Sequence, residues 1–323
     1  MRFVVFGAGA VGGVVGGLLH RAGHKVVLIA RGEHLAAIQS DGLRFASPAG
    51  HTVERISAVG HPDEVEWRHD DVVLLAVKSD ATRDAVQSLA ATAPPSIALV
   101  CMQNGVANED TALRWFSCVY GVCVMAPTAH VEPGLVEANC HPTPAILDIG
   151  RYPEGVDVTT EQIATAFREA GIVSVPRPDI MRWKYRKLVL NLGNAVQAVC
   201  RRGDGFDELR SLIKAEGERV LDATGLDPVS EDEDLARRGD ILQIGEIAGR
   251  PRHGGSSWQS LERRTGAIES DYLNGEIVLL GRRYGVESPA NEVIRREATR
   301  YAREGLTPAT APAADLLAIL RSG

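Results

Sequence analysis

The stretch from Trp183 to Val196 sets two lysines and two asparagines into an otherwise apolar run. At about 100° per residue, Lys184, Lys187, Asn191 and Asn194 fall within roughly a quarter of a helix's circumference. The other faces are largely apolar, so this helix should be surrounded by protein. The polar stripe then lies in a cleft, or is buried at a cost. A cleft that receives an anionic or carbonyl compound accounts for it. A narrow wet face on a surface helix is the other reading, which two asparagines suit poorly. Two further polar groups fit the same cleft. Val77-Lys78-Ser79 closes one apolar run and Gln103-Asn104-Gly105 closes the next. Open parallel sheets bind ligands at such strand ends. A lysine ending a strand is usually just solvated, so it is the joint position that carries weight.

A second set of residues suits phosphate. Gly7-Ala8-Gly9-Ala10-Val11-Gly12 reads GxGxxG. Alone the pattern is weak. Here it follows an apolar run and opens a helix, and another apolar run comes next, which is the context of a dinucleotide-binding βαβ unit. Gly7 permits the tight turn. Gly9 lets the backbone approach a pyrophosphate drawn to the helix N-terminus, and Gly12 lets the helix sit close to the sheet. Gly13, Gly16 and Gly17 extend that close packing. The second run ends in Ala30-Arg31. Proteins that bind NAD usually place an acid there for the ribose 2′-hydroxyl. An acid would repel a 2′-phosphate, whereas arginine can clamp one through paired hydrogen bonds. The reading is therefore NADPH, unless Arg31 is merely a solvated strand end.

The elements that must hold these residues follow from the texture of the chain. Apolar runs at 1–6, 25–30, 71–77 and 97–101 alternate with helical stretches such as 34–40 and 81–92. That alternation describes a parallel sheet covered on both faces. Further strands are expected at 119–126, 135–138, 145–149 and 172–175, with a helix at about 159–170. From about 179 the pattern is helical, with breaks at Gly225–Pro228, Arg250–Gly255 and Gly285–Pro289. The acidic run Glu231–Asp234 suits a solvated loop or a helix start. Pro308–Ala314 suits a loose linker before a short helix, Asp315–Arg321. The fold expected is α/β: a Rossmann-type doubly wound sheet over residues 1–178, then an all-α domain over 179–323.

Bulk properties narrow the class. A chain of 323 residues is comfortable for two domains with separate cores. The net charge of −7 and the scattering of Arg and Lys argue against nucleic acid. Five cysteines without a CxxC pair read as reduced thiols, and no His/Cys spacing suits zinc, so no metal is expected. Met1–Leu19 is apolar but rich in glycine and runs into a strand pattern, so no signal peptide is expected. No apolar run reaches the length of a spanning helix. The expectation is a cytoplasmic protein with no membrane partner.

Together these pieces resemble the ketopantoate reductase (2-dehydropantoate 2-reductase) family. The matching elements are GAGAVG at 7–12, Arg31, VK at 77–78, QNG at 103–105 and KLVLN at 187–191. Ser256-Ser257-Trp258-Gln259 and Glu269-Ser270-Asp271-Tyr272-Leu273-Asn274-Gly275 follow in the same order. The resemblance spans nearly the whole chain. It implies reduction of a 2-keto acid by NADPH, as in pantothenate biosynthesis. The glycine loop, Arg31, Lys78 and Asn104 would bind cofactor, with Asn104 also near the substrate. Lys187 would be the general acid. Asn191 and Asn194 would position substrate, Ser257 would bind its carboxylate, and Glu269 would hydrogen-bond the substrate or the lysine system. The chemistry is coherent, since hydride attack on a ketone builds negative charge on oxygen that a nearby cation stabilises and protonates. A homodimer through the helical domain follows only by analogy with the family.

Departures lie on the substrate side. An asparagine usual in the family is replaced by Ala195, with Asn194 one residue early. Gly254 stands where the family has an asparagine before the serine pair, and another asparagine is missing from Arg201–Gly205. These changes leave room for a different 2-keto acid or a bulkier ketone. Two other readings stay open: another two-domain hydroxyacid dehydrogenase or imine reductase, and an NADPH sensor without turnover.

Overall fold

The computed structural model describes residues 1–130, 132–249 and 254–322. The chain divides into two compact units. One is Met1–Lys184 with Asp232–Arg252, and the other is Tyr185–Glu231 with His253–Gly323. The single boundary expected near 178 is thus replaced by a division in which the segment 232–252 rejoins the first unit.

Strand β1 (Arg2–Phe6) is buried along its whole length. Alternate side chains enter opposite cores, Phe3 and Val5 one, Val4 and Phe6 the other. After the turn at Gly7, helix α1 (Ala10–Arg21) leads to β2 (Lys25–Ile29), which pairs in parallel with β1. Helix α2 (Gly32–Asp41) follows, then short strands β3 (Leu43–Ser47), β4 (Gly50–Glu54) and β5 (Ser57–Val59). The chain then crosses to the other side of β1, where β6 (Asp71–Leu75) pairs with it in parallel. Arg2 and Asp71 are register partners there and form a buried two-armed ion pair, which sets the two strands flush. Helix α3 (Thr82–Ala90), β7 (Ala98–Cys101), helix α4 (Asn108–Leu113) and β8 (Cys118–Met125) continue outward. Strands β9 (Thr128–Ala129) and β10 (Leu135–Ala138) precede the antiparallel edge strand β11 (Ile146–Arg151) and helix α5 (Val158–Glu169).

Among the described residues, seven strands form the main sheet in the order β11-β8-β7-β6-β1-β2-β5, and four form a second sheet, β4-β3-β10-β9. The order reverses beside β1, so the loops after β1, β2, β6 and β7 open on one edge, at the switch point where such sheets take ligands. The second sheet is absent from the sequence reading, apart from β10. The strand expected at 172–175 is also absent. That segment makes only isolated bridges, Val173 with Ile146 and Pro176 with Ile149.

The described part of the segment 232–252, residues 232–249, is held by specific bonds. Helix α9 (Glu231–Arg238) brings Arg237 to Asp148 of β11, where its guanidinium engages both carboxylate oxygens at 2.8 and 2.6 Å. Further on, the His141 N–H donates to Gln243 O and the Gly245 N–H to Asn139 O. The acidic run is therefore a helix start, as one of its two readings had it. It is not wholly solvated, because Asp234 is buried against Arg238.

The second unit is helical. Helix α6 (Ile180–Asn191) begins in the first unit and ends in the second, and is followed by α7 (Gly193–Val199) and α8 (Phe206–Thr224). Beyond α9 come α10 (Ser256–Glu262), α11 (Asn274–Tyr284), α12 (Pro289–Glu304) and α13 (Ala313–Ser322). Left-handed glycines, Gly225 and Gly285, end α8 and α11 at the expected breaks. The break expected at Arg250–Gly255 falls mainly on 250–253, outside the described residues. The tail is not the loose linker expected. Ala309, Thr310 and Ala311 donate their amides to Ala198 O and Val199 O, and the Arg201 N–H donates to Ala311 O.

Among the described residues no helix is long and apolar enough to cross a membrane, and no group of three or more His, Cys, Asp or Glu is arranged to hold a metal. The cysteines are free thiols, and all but half-buried Cys118 are buried. Burial and the nearby Glu109 push the Cys101 thiol well above its ordinary range, and burial pushes Cys200 up to about 12. Thiolate is the reactive form. At pH 8 a chromogenic disulfide reagent is therefore expected to label one thiol rapidly in the native protein and all five in denaturant. Fast labelling of two or more native thiols would contradict this packing.

Candidate active site

In the first unit the residues expected to bind cofactor lie on the edge of the sheet where the loops after β1, β2, β6 and β7 open. The loop Gly7–Gly12 links β1 to α1. Gly7 has φ +101°, and a Cβ there would lie 2.9 Å from the backbone of Ala76 and Val77. That contact seats the loop against the chain leaving β6, just before Lys78. A Cβ at Gly12 would lie 2.9 Å from Ala76 Cβ and Val5 Cγ1. Gly9 differs. The nearest atom a Cβ would meet is His130 Nδ1, at 3.9 Å. Two of the motif's glycines are therefore required by protein packing, whereas a Cβ at Gly9 would make only an ordinary contact with His130, which leaves the room a pyrophosphate requires. The loop fits a dinucleotide on this ground. Ala8 is buried; Ala10 and Val11 begin α1 and are half-buried. Arg31 is exposed on the residue that precedes α2.

His34, in the first turn of α2, braces this loop, and nothing in the motif pattern marks it. Its Nδ1 accepts the Gly134 N–H at 2.8 Å, so in the neutral ring the hydrogen sits on Nε2, which donates to Ala8 O at 2.7 Å. The His130 ring lies against it, with centroids 4.2 Å apart.

The ends of β6 and β7 are cross-linked by side chains. Gln103 Nε2 donates to Val77 O and to Thr82 Oγ1, both at 2.8 Å, and Thr82 donates to Asn108 Oδ1. Asn108 Nδ2 donates in turn to Ser79 Oγ and to Asn104 O. Lys78 and Asn104, both half-buried, thus project from backbone segments that are bonded to one another. Gln103 serves as a strut, and Asn104 carries the half-buried side chain.

Lys184 departs from the expected stripe. It is 3% exposed, and its Nζ lies 2.6 Å from Oε1 of Glu109, which is fully buried. It also donates to Gln103 O at 3.0 Å and Val122 O at 3.3 Å. The contact with Glu109 is ionic rather than well directed, for neither carboxylate oxygen has a hydrogen-bond partner of good geometry. Gly121 makes room for the pair, since a Cβ there would come within 3.4 Å of both side chains. Lys184 is therefore a buried strut beneath the QNG loop.

The stripe continues in the second unit with half-buried Lys187 and buried Asn191 on α6, and half-buried Asn194 on α7. The single helix expected from Trp183 to Val196 is broken at Leu192. Asn274, fully buried, donates to Leu192 O and to Asn291 Oδ1, and so fastens the junction between Asn191 and Asn194. Asn291 is fixed by Glu216, whose carboxylate also accepts the Ala290 and Asn291 N–H groups at the start of α12. Helix α10 packs on α7. Gln197 Oε1 accepts the Gly255 N–H at 3.1 Å, and a Cβ on Gly255 would lie 3.6 Å from Asn194 Oδ1. Asn194 is thus brought to the start of the helix that carries buried Ser257. Glu269, 8% exposed, opens the 3-10 turn Glu269–Tyr272 that leads into α11.

Comparison with known proteins finds one family over most of the chain. Residues 3–154 match the model described as "Ketopantoate reductase PanE/ApbA", and residues 179–301 match that of its C-terminal part. The 2-dehydropantoate 2-reductase of Pyrococcus abyssi is 28% identical over 299 residues, covering 90% of this chain and 94% of its own. A crystal structure of a PanE/ApbA family ketopantoate reductase from Ralstonia eutropha JMP134 is 28% identical, with TM-score 0.78, over 94% of this chain and 99% of its own. D-mandelate dehydrogenase, solved with NADH and anilino(oxo)acetate, superposes with TM-score 0.80 at 20% identity over 94% of this chain and 99% of its own, a likeness of fold alone.

Removing one partner of a buried ion pair costs about 3–5 kcal/mol, whereas replacing both with apolar groups is often neutral. Lys184→Met is therefore expected to lower unfolding stability by about that amount, and Lys184→Met/Glu109→Leu to recover most of it. Urea unfolding of the two single variants and the double variant measures the coupling. Additive losses would show that the pair is not the strut described.

Proposed function

Since the chain belongs to the ketopantoate reductase family, we propose that it uses NADPH to reduce a 2-keto acid to a 2-hydroxy acid, with 2-dehydropantoate or a close relative as substrate. The observation that carries this reading is the pairing, in one chain, of a phosphate loop that leaves room at Gly9 and is followed by Arg31 with a helix bearing Lys187 and Asn191 on one face.

The loop Gly7–Gly12 would hold the pyrophosphate through backbone N–H groups, and Arg31 would clamp the 2′-phosphate. Lys78 and Asn104 complete the cofactor side. When bound, NADPH supplies hydride to the carbonyl carbon. Charge then grows on the carbonyl oxygen, and an ammonium beside that oxygen stabilises the transition state more than the ground state. Lys187 is the group assigned to this place, and it delivers the proton that completes the hydroxyl. Asn191, Asn194 and Asn104 orient the substrate, Ser257 takes its carboxylate, and Glu269 hydrogen-bonds the substrate or the lysine system. Lys184 stays outside this chemistry, being committed to Glu109 and Gln103.

Oxidation of NADPH against a panel of 2-keto acids that includes ketopantoate tests the activity. Lys187→Ala should lower kcat by about 10²–10⁴ on the best substrate. Tight NADPH binding with no turnover of any member would overturn the reductase reading in favour of a sensor. The cofactor assignment is tested separately. Arg31→Ala should weaken NADPH binding by about tenfold or more while NADH binding barely changes, because a charge-assisted pair with phosphate is lost. Equal losses for both would remove Arg31 from the 2′-phosphate.

A further inference from the structure

The second unit has a pocket of which the assigned chemistry uses only Asn194. It lies beside Asn194, along the α6–α7 face next to the Lys187–Asn191 stripe, and is lined by Gly193, Asn194, Gln197, Arg202, Phe206 and Arg210. Two guanidinium groups border it. Phe206 is buried, and the carbons at the centre of the Arg202 and Arg210 guanidiniums lie 5.5 and 5.9 Å from its ring centroid. Arg210 lies flat over Gly193, since a Cβ there would be 3.2 Å from Arg210 Nε. A larger residue at 193 would push the guanidinium away.

The arginines are only lightly neutralised. Arg210 has one carboxylate contact, 3.8 Å to Asp207, whose side chain is 90% exposed. Among the described residues Arg202 makes no ion pair, and its stem starts from a backbone fixed by the Arg201 N–H to Ala311 O bond. The floor is equally fixed. Gln197 is tied to Gly255, which also touches the Asn194 position and begins the helix of Ser257. The pocket therefore shares Asn194 with the residues assigned to the substrate, and its Arg202 and Arg210 side is cationic. Two of the sequence departures coincide with it: Asn194 one residue early, and the loop Arg201–Gly205, from which an asparagine is missing and which carries Arg202.

We infer that this pocket receives the end of the substrate remote from the reacting carbonyl, and that this end bears a second carboxylate. The inference rests on the 2-keto acid reading above and singles out the dicarboxylic members of that class. Two guanidiniums facing one carboxylate provide paired, charge-assisted hydrogen bonds. Uncharged hydroxyl tails would leave both cations unanswered.

Calorimetric titration of the NADP⁺-loaded protein separates this from catalysis, since no turnover occurs. The probes are 2-oxoglutarate and 5-methyl-2-oxohexanoate, in which an uncharged isopropyl group replaces the tail carboxylate. Wild type should bind the diacid about tenfold or more tightly than its isostere, the scale of one hydrogen-bonded charge pair. Arg202→Ala and Arg210→Ala should each erase most of that preference and leave the isostere's affinity unchanged. Arg202→Lys should retain part of it, and Arg201→Ala, at an exposed neighbour outside the pocket, should retain all of it. Both pocket arginines are exposed, and unchanged thermal midpoints will show that the variants fold. No preference in wild type, or equal weakening of both probes by the arginine variants, overturns the proposal. Failure of every 2-keto acid to turn over would instead strike the reductase reading, and the binding comparison would still judge the pocket.

Discussion

An ammonium buried where water does not reach must find its counter-charge and hydrogen-bond acceptors in the protein, and Lys184 finds them in three different places. Glu109 belongs to α4, Gln103 to the loop after β7, and Val122 to β8. One side chain near the start of α6 thus ties three consecutive pieces of the main sheet's ligand edge to the helix that carries the chain out of the first unit. A buried ion pair is a poor source of net stability but a demanding source of geometry, because any other arrangement strands a charge. The Gln103–Asn104 loop and its bonds to Val77, Thr82 and Asn108 are arranged around that requirement.

The second unit applies the same logic with amides that end on the buried carboxylate of Glu216. The break at Leu192 would leave its carbonyl unsatisfied inside an apolar bundle, a costly arrangement. Asn274 answers it, Asn291 answers Asn274, and Glu216 fixes Asn291 while capping α12. The polar face of α6 and α7 is therefore backed by a chain of buried amides running through α8, α11 and α12. Such a network is sensitive to the loss of any member, since each serves as partner to the next.

Much of this was legible from the residues. Buried parallel strands carry unbroken apolar runs, and a phosphate loop needs small residues at fixed spacing, so β1, β2, β6, β7 and the Gly7–Gly12 loop declare themselves. Helix ends at Gly225 and Gly285 do so for the same local reason. What was not legible depends on partners distant in sequence. Strand β4 is largely exposed and has little apolar pattern, so of the second sheet only β10 was legible. Lys184 shares a helical face with Lys187, and periodicity alone has no knowledge of Glu109, which is 75 residues earlier in the chain. The bracing role of His34 requires knowing that Ala8 and Gly134 meet. The tail was misjudged because its proline and alanine content resembles a linker, whereas its backbone bonds to 198–201 cannot be seen in composition.

The bond between Asp148 and Arg237 joins residues 89 positions apart, and the segment Tyr185–Glu231 between them, which holds the end of α6 with α7 and α8, belongs to the other unit. The first unit is therefore discontinuous in the gene. A ribosome making this chain N-terminus first releases the main sheet long before the helix that completes it, so Asp148 is held by Arg177 and the Val175 N–H before Arg237 has been made. The same holds for the backbone partners that Asn139 and His141 find at Gly245 and Gln243. A fragment cut at the visible change of texture near residue 178 would carry an intact phosphate loop on an incompletely bonded sheet. The two units are in this sense interleaved in synthesis, and the smaller fragments that a linear reading of the chain would invite one to express are not its natural parts.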